Sequence, residues 1–219
     1  MDINRYIEQT NLKPNLIDKD VDELVEQAIA HQFIGVCLPP FWVKRASRGL
    51  AQTDSQLVTV IGFPLGYSRT ESKLIEIEKA IEDGANELDI VMNISAFKSG
   101  MPWTKIELAK CANIIHEAGC MMKVILETSY LTELEIETAT KTCVEAGTDW
   151  VKTSTGFSSA GAKEEHVRLM RSTAPSNVGV KASGGIRNLE QVKAMIAAGA
   201  DRLGVSAGVA IMQEFNESR

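Results

Sequence analysis

The sequence predicts a (β/α)8 barrel formed by a single domain over residues 1–219. Three observations carry that expectation. Eight short apolar segments of strand character follow one another at intervals of roughly 30 residues, the length of a βα unit. Amphipathic helical stripes lie between them. Glycine-containing turns close several of those helices just before the next strand, and no linker or low-complexity stretch interrupts the alternation. A doubly wound open sheet is the alternative. It is weakly disfavoured because no G-x-G-x-x-G opens a helix after the first strand.

In chain order, the first strand is read over Ile7–Leu12. A helix over Asp20–Gln32 follows, because Val21, Leu24, Val25, Ala28 and Ile29 fall on one face. Strands are expected at Phe33–Leu38 and Leu57–Phe63. Leu74, Ile75, Ile77 and Ile81 then mark a helix over Glu71–Asp83, ended by Gly84. The fourth strand is Glu87–Asn93. Ile106, Ala109, Ile114 and Ile115 make Lys105–Ala118 helical, with Gly119 behind it. Met122–Glu127 is the fifth strand, and the helix Leu134–Ala146 runs into Gly147. Trp150–Ser154 and Val178–Ser183 are the sixth and seventh strands. Leu189–Ala198 is a helix closed by Gly199, and Arg202–Ser206 is the eighth strand, leading into a last apolar helix.

The 219 residues, 44% hydrophobic and 24% charged, suffice for one buried core. A net charge of −6 without a long basic run argues against nucleic-acid or anionic-membrane partners. No apolar stretch reaches the ~18 residues of a membrane helix, and the N-terminus lacks a secretory pattern. The four cysteines form no CxxC pair and the three histidines are scattered. Free thiols in a cytoplasmic protein, with neither metal nor cofactor, are therefore expected.

Chemistry is expected at the C-terminal strand ends. Lys152 and Lys181 occupy matching contexts, VKTSTG and VKASGG. A buried lysine is costly unless it is paired or working. Two inward lysines on adjacent strands would each lower the other's pKa, and a neutral amine attacks carbonyls. The plainer reading is that each neutralises an inward carboxylate. Glu87, Asp89, Val91 and Asn93 share a face of the fourth strand. Glu87 reads equally as an ion-pair partner, while Asp89 is the candidate proton carrier. Lys123 is expected to be structural, paired with Asp89, Glu87 or Glu127. Gly184 and Gly185 after the seventh strand, and Ser206 in Gly204–Gly208 after the eighth, are candidates for an anion site. The bland alternative is that these glycines only form tight turns. Cys37 reads first as a small buried thiol and second as a pocket residue. His31, His116 and His166 fall on helices or their ends, as surface or satisfied residues.

Together, GVCLPP, VIGFPLG, GANELDIVMN, KVILET, DWVKTSTGF and VKASGGIR resemble deoxyribose-phosphate aldolases over nearly the whole chain. The resemblance implies a metal-free class I aldolase of deoxyribonucleoside catabolism. It would cleave 2-deoxy-D-ribose 5-phosphate reversibly to acetaldehyde and D-glyceraldehyde 3-phosphate. It makes Lys152 the Schiff-base lysine, Lys181 its perturbing neighbour and Asp89 the proton shuttle. Thr10, Cys37, Thr155, Gly156, Gly184, Gly185 and Ser206 would contact substrate. The sequence departs from the family pattern in four places, one being the sixth-strand loop, commonly glycine-rich and here Gly156-Phe157-Ser158-Ser159-Ala160-Gly161-Ala162. Glu8-Gln9 stands where an Asp-His pair is common, Val205-Ser206-Ala207 where hydroxyls are denser, and no tyrosine ends the chain. Another Schiff-base aldolase and a noncatalytic sugar-phosphate-binding barrel are the competing readings. A homodimer is the default assembly.

Overall fold

A computed structural model describes residues 2–218. Eight parallel strands close on themselves in chain order. They are β1 (Ile7–Thr10), β2 (Gly35–Leu38), β3 (Gln56–Ile61), β4 (Glu87–Val91), β5 (Met121–Ile125), β6 (Trp150–Lys152), β7 (Gly179–Ser183) and β8 (Arg202–Val205). The helices outside them are α1 (Asp18–His31), α2 (Val43–Leu50), α3 (Thr70–Glu82), α4 (Ile94–Lys98), α5 (Trp103–Glu117), α6 (Glu133–Glu145), α7 (Glu164–Thr173), α8 (Leu189–Ala197) and α9 (Gly208–Glu217). The predicted (β/α)8 barrel is the observed fold.

Period-two alternation sorts the strands into two surfaces. Leu88 and Ile90 of β4 with Met92 just beyond it, Met122, Val124 and Leu126 around β5, Val180 and Ala182 of β7, and Leu203 and Val205 of β8 point outward, where they join the core beneath the helices. Burying that layer is the main favourable contribution to the fold. The residues between them point inward. On β2 and β3 the inward set is Cys37, Val58 and Val60, with Leu12 and Phe63 packed against it. Elsewhere the interior is ionic. Glu8, Glu87, Asp89, Lys123, Lys152, Lys181 and Arg202 are all buried.

Strand register fixes how these charges meet. Asp89 lies opposite Lys123, Lys152 opposite Lys181, and Lys181 opposite Arg202. At the N-terminal end the Arg202 guanidinium lies 4.4 Å from the centre of the Trp150 ring. That ring occupies the space beside Gly179, where a β-carbon would come within 2.1 Å of it. Trp150 and Arg202 therefore plug the bottom of the barrel, and Lys152, one inward step above Trp150, points toward the open end.

Candidate active site

The barrel interior holds four cationic side chains against three carboxylates. Lys123 contacts Glu87, Asp89 Oδ1 at 3.2 Å and Glu8 at 3.7 Å. Arg202 donates to Glu87 at 2.6 Å and to Glu8 at 3.2 Å. Lys181 donates to Glu8 and, at 2.9 Å, to Asp89 Oδ2. Lys152 donates to that same Asp89 oxygen at 2.7 Å. Among the described residues Asp89 is its one carboxylate partner, whereas each of the other three cations has at least two.

The electrostatics follow from these contacts. Burial works against the Asp89 carboxylate, but Lys123, Lys152 and Lys181 outweigh it and hold its pKa well below the ordinary value. Burial likewise opposes ionisation of Glu8, yet Lys123, Lys181 and Arg202 bring it down to about 2. Burial disfavours the Lys181 ammonium, but Asp89 and Glu8 reverse that effect and raise its pKa far above the ordinary lysine value. Lys123 is raised for the same reason by Asp89, Glu8 and Glu87. The depression expected of Lys181 from its lysine neighbour is therefore overturned. Lys181 keeps its proton and stands as a fixed positive charge beside Lys152.

Lys152 lies at the floor of a cavity of about 340 Å³ at the C-terminal mouth. Thr10, Thr155, Gly156, Gly184, Gly185 and Ser206 all line it, so the structure brings these predicted substrate-contacting residues together. Asp89 and Lys181 lie immediately below, buried. Cys37 is the exception. It is wholly buried, does not line this cavity, and burial pushes its thiol up to about 11. It packs inside the barrel with Val58 and Val60, as the first of its two readings, a small buried thiol, expects. Lys123 meets two of its three expected partners. The third, Glu127, instead accepts from Thr155 and Ser158.

Sequence reasoning passed over four residues that shape the site. Glu8 and Arg202 complete the ionic interior. Lys13 and Arg187 line the cavity mouth, and neither side chain has a partner among the described residues. Among the described residues no carboxylate lines this cavity, in a chain whose net charge is −6. Gly184 and Gly185 have φ of 86° and 80°, a backbone that glycine adopts readily. Their N–H groups are unpaired among the described residues. Two cations and adjacent free amides form a concavity that suits an anion. A larger groove of about 730 Å³ lies next to it over β2 and β3. It shares only Leu12 and Lys13 with the first and does not reach Lys152.

A lysine amine beneath an anion-attracting pocket, at the C-terminal end of a (β/α)8 barrel, is the equipment of a carbon–carbon lyase of the aldolase class. Residues 3–214 match the model described as DeoC/LacD family aldolase. A deoxyribose-phosphate aldolase of Thermococcus gammatolerans is 49% identical, covering 97% of this chain and 96% of its own. One of Brevibacillus brevis is 50% identical over the same shares. Among solved structures, an aldolase designated QR15 superposes with a TM-score of 0.93 at 44% identity, covering 99% of this chain and 97% of that one. A tetrameric deoxyribose phosphate aldolase from Aeropyrum pernix gives 0.92 at 32% identity, covering 99% and 92%. The chain belongs to the DeoC/LacD aldolase family, and the protein is a lyase.

Proposed function

We propose that the protein cleaves 2-deoxy-D-ribose 5-phosphate reversibly to D-glyceraldehyde 3-phosphate and acetaldehyde through a Schiff base on Lys152, in deoxyribonucleoside catabolism. The observation that carries this reading is the surplus cation in the barrel. Four cations face three carboxylates, and deprotonation of one lysine balances them. Lys152 has the fewest anionic partners and alone of the four lines the cavity. It is therefore the lysine of the four placed to meet a carbonyl carbon in the cavity.

The amine attacks C1 of the open-chain sugar, and the carbinolamine loses water to give an iminium ion. The C3 hydroxyl then gives up its proton while the C2–C3 bond breaks. The electron pair of that bond flows into the iminium, leaving an enamine on Lys152 and releasing the three-carbon aldehyde. Protonation at C2 and hydrolysis release acetaldehyde and restore the amine. Asp89, hydrogen-bonded to Lys152, carries protons in the addition and dehydration steps. Lys181, held protonated, is the fixed positive charge set beside that amine. The amides of Gly184 and Gly185, the Ser206 hydroxyl, Lys13 and Arg187 take the phosphate, so that remote binding energy positions C1.

Borohydride reduction in the presence of acetaldehyde, followed by peptide mapping, tests the assignment. The expected adduct is on Lys152, and Lys152→Ala lowers kcat/KM by about a thousandfold or more. An adduct on Lys181 would exchange the roles of the two lysines. No adduct on folded protein would remove the Schiff-base route.

A homodimer in the cytoplasm completes this reading. Exposed Phe41 and Trp103 support self-association, and among the described residues no helix is long and apolar enough to cross a membrane. Light scattering gives the solution mass.

A further inference from the structure

We propose that Glu127 is a positioning residue that suspends the cavity loop Thr155–Ser158 in the form that receives the anionic end of the substrate. This deepens the substrate reading above and rests on it. Among the described residues, four buried carboxylates have a cation within salt-bridge distance: Glu8, Glu87, Asp89 and Glu107. Glu127, also buried, has none. Its two oxygens are taken up instead by one loop and its neighbour. Oε2 accepts from the Thr155 N–H at 3.0 Å and from the Thr155 hydroxyl. Oε1 accepts from the hydroxyls of Ser158 at 3.0 Å and Ser129 at 3.3 Å. A carboxylate is stable there because it accepts several hydrogen bonds at once.

The backbone supports the same assignment. Glu127 has φ of 54°, in the left-handed region that a residue with a β-carbon seldom occupies. Among the described residues one other non-glycine shares it, Gln32, which closes α1. Glu127 closes no helix. It directly precedes the single helical turn Thr128–Tyr130, and its side chain reaches the loop that follows β6.

The consequence falls on the cavity. The Thr155 hydroxyl is spent on Glu127 and accepts the Phe157 N–H at 3.0 Å. The N–H groups of Thr155 and Phe157 are thus both used, the first on Glu127 and the second within the loop. That of Gly156, between them with φ of 85°, has no partner among the described residues, and Gly156 lines the cavity. One carboxylate thereby leaves one amide of the loop free for a ligand. Thr155 acts through the shape of the loop rather than by giving its own proton to the sugar.

The test compares 2-deoxyribose 5-phosphate cleavage with acetaldehyde trapping, because acetaldehyde carries no anion. In Glu127→Gln, KM for the sugar phosphate rises about tenfold or more, kcat stays within about threefold, and acetaldehyde is trapped on the enzyme as in the wild type. Thr155→Ser keeps the hydroxyl and the wild-type KM, whereas Thr155→Val reproduces the rise. If Glu127→Gln does not fold, the Thr155 pair carries the test alone. An unchanged KM in Glu127→Gln and Thr155→Val would overturn the proposal. So would a parallel fall of kcat, trapping and thermal stability, which is the mark of a merely structural residue. Wild-type protein that traps acetaldehyde but does not cleave the sugar phosphate would sink the substrate reading instead.

Discussion

Lys181 is the residue whose charge decides the behaviour of its neighbour. It shares Asp89 Oδ2 with Lys152, and Glu8 and Asp89 hold its proton in place. Lys181→Met leaves three cations and three carboxylates in the barrel with Lys152 charged. The amine is then released only at higher pH. The expected outcome is a kcat/KM at neutral pH lower by about a hundredfold, with the acid limb of the pH–rate profile moved upward. Lys181→Arg preserves the charge and should keep the profile in place. A flat loss at every pH in Lys181→Met would instead mean that Lys181 contributes packing alone. Lys152, Lys181 and Asp89 were legible in the sequence because each sits at an inward step of an apolar strand. Glu8 was not, since β1 has only four residues and nothing in IEQT marks which step faces inward. The choice of Glu87 and Asp89 over Glu127 as partners of Lys123 is made across the barrel, and Glu127 turns away through a left-handed backbone that no local pattern announces.

At the scale of elements, strands and long helices were readable and the short connections were not. The five helices read from apolar stripes are present as α1, α3, α5, α6 and α8. The predicted strands ran past their ladders at several C-terminal ends, because the chain leaves the sheet there to form the site. Leu12, Phe63 and Ser154, for example, were read as strand and lie in loops. α2 and α7 escaped notice for a physical reason. VKRASRGL buries only Val43, Ala46 and Leu50, and EEHVRLMRST only His166, Val167 and Met170, too few apolar positions to set a period. α6 offers a test of local encoding. The Thr132 hydroxyl accepts the Glu135 N–H at 3.3 Å, while the Glu135 carboxylate accepts the Thr132 N–H at 2.8 Å. This is a reciprocal cap. Thr132→Ala should cost about 1 kcal/mol, lowering Tm by about 2–4 °C, with kcat and KM unchanged because the cap lies away from the cavity lining. Calorimetry beside steady-state kinetics reads both. A change in KM without a change in Tm would place Thr132 in the site rather than in the helix.

For the whole molecule, the ionic interior ties stability to pH. Glu8, on β1, is bonded to Lys181 of β7 and Arg202 of β8 and lies 3.7 Å from Lys123 of β5. Its charge therefore connects strands that are distant in sequence on both sides of the barrel. Its native pKa of about 2 lies below the ordinary glutamate value of 4.5, and Asp89 is depressed as well. A depressed carboxylate stabilises the fold fully above its unfolded-state pKa, and that contribution is lost as pH falls through the native one, because the unfolded chain takes up the proton first. Stability measured by urea titration should thus be level above about pH 5 and fall from about 4.5 toward about 2. Glu8→Gln should do two things at once. It leaves Lys181 and Arg202 each short of a buried partner, which costs about 3–5 kcal/mol at neutral pH. It also removes one of the protons taken up on acid unfolding, so the slope of stability against pH between 4.5 and 2 becomes shallower. A variant that is destabilised but keeps the wild-type slope would show that Glu8 is not the titrating group, and would assign the acid transition to Asp89 and the remaining carboxylates.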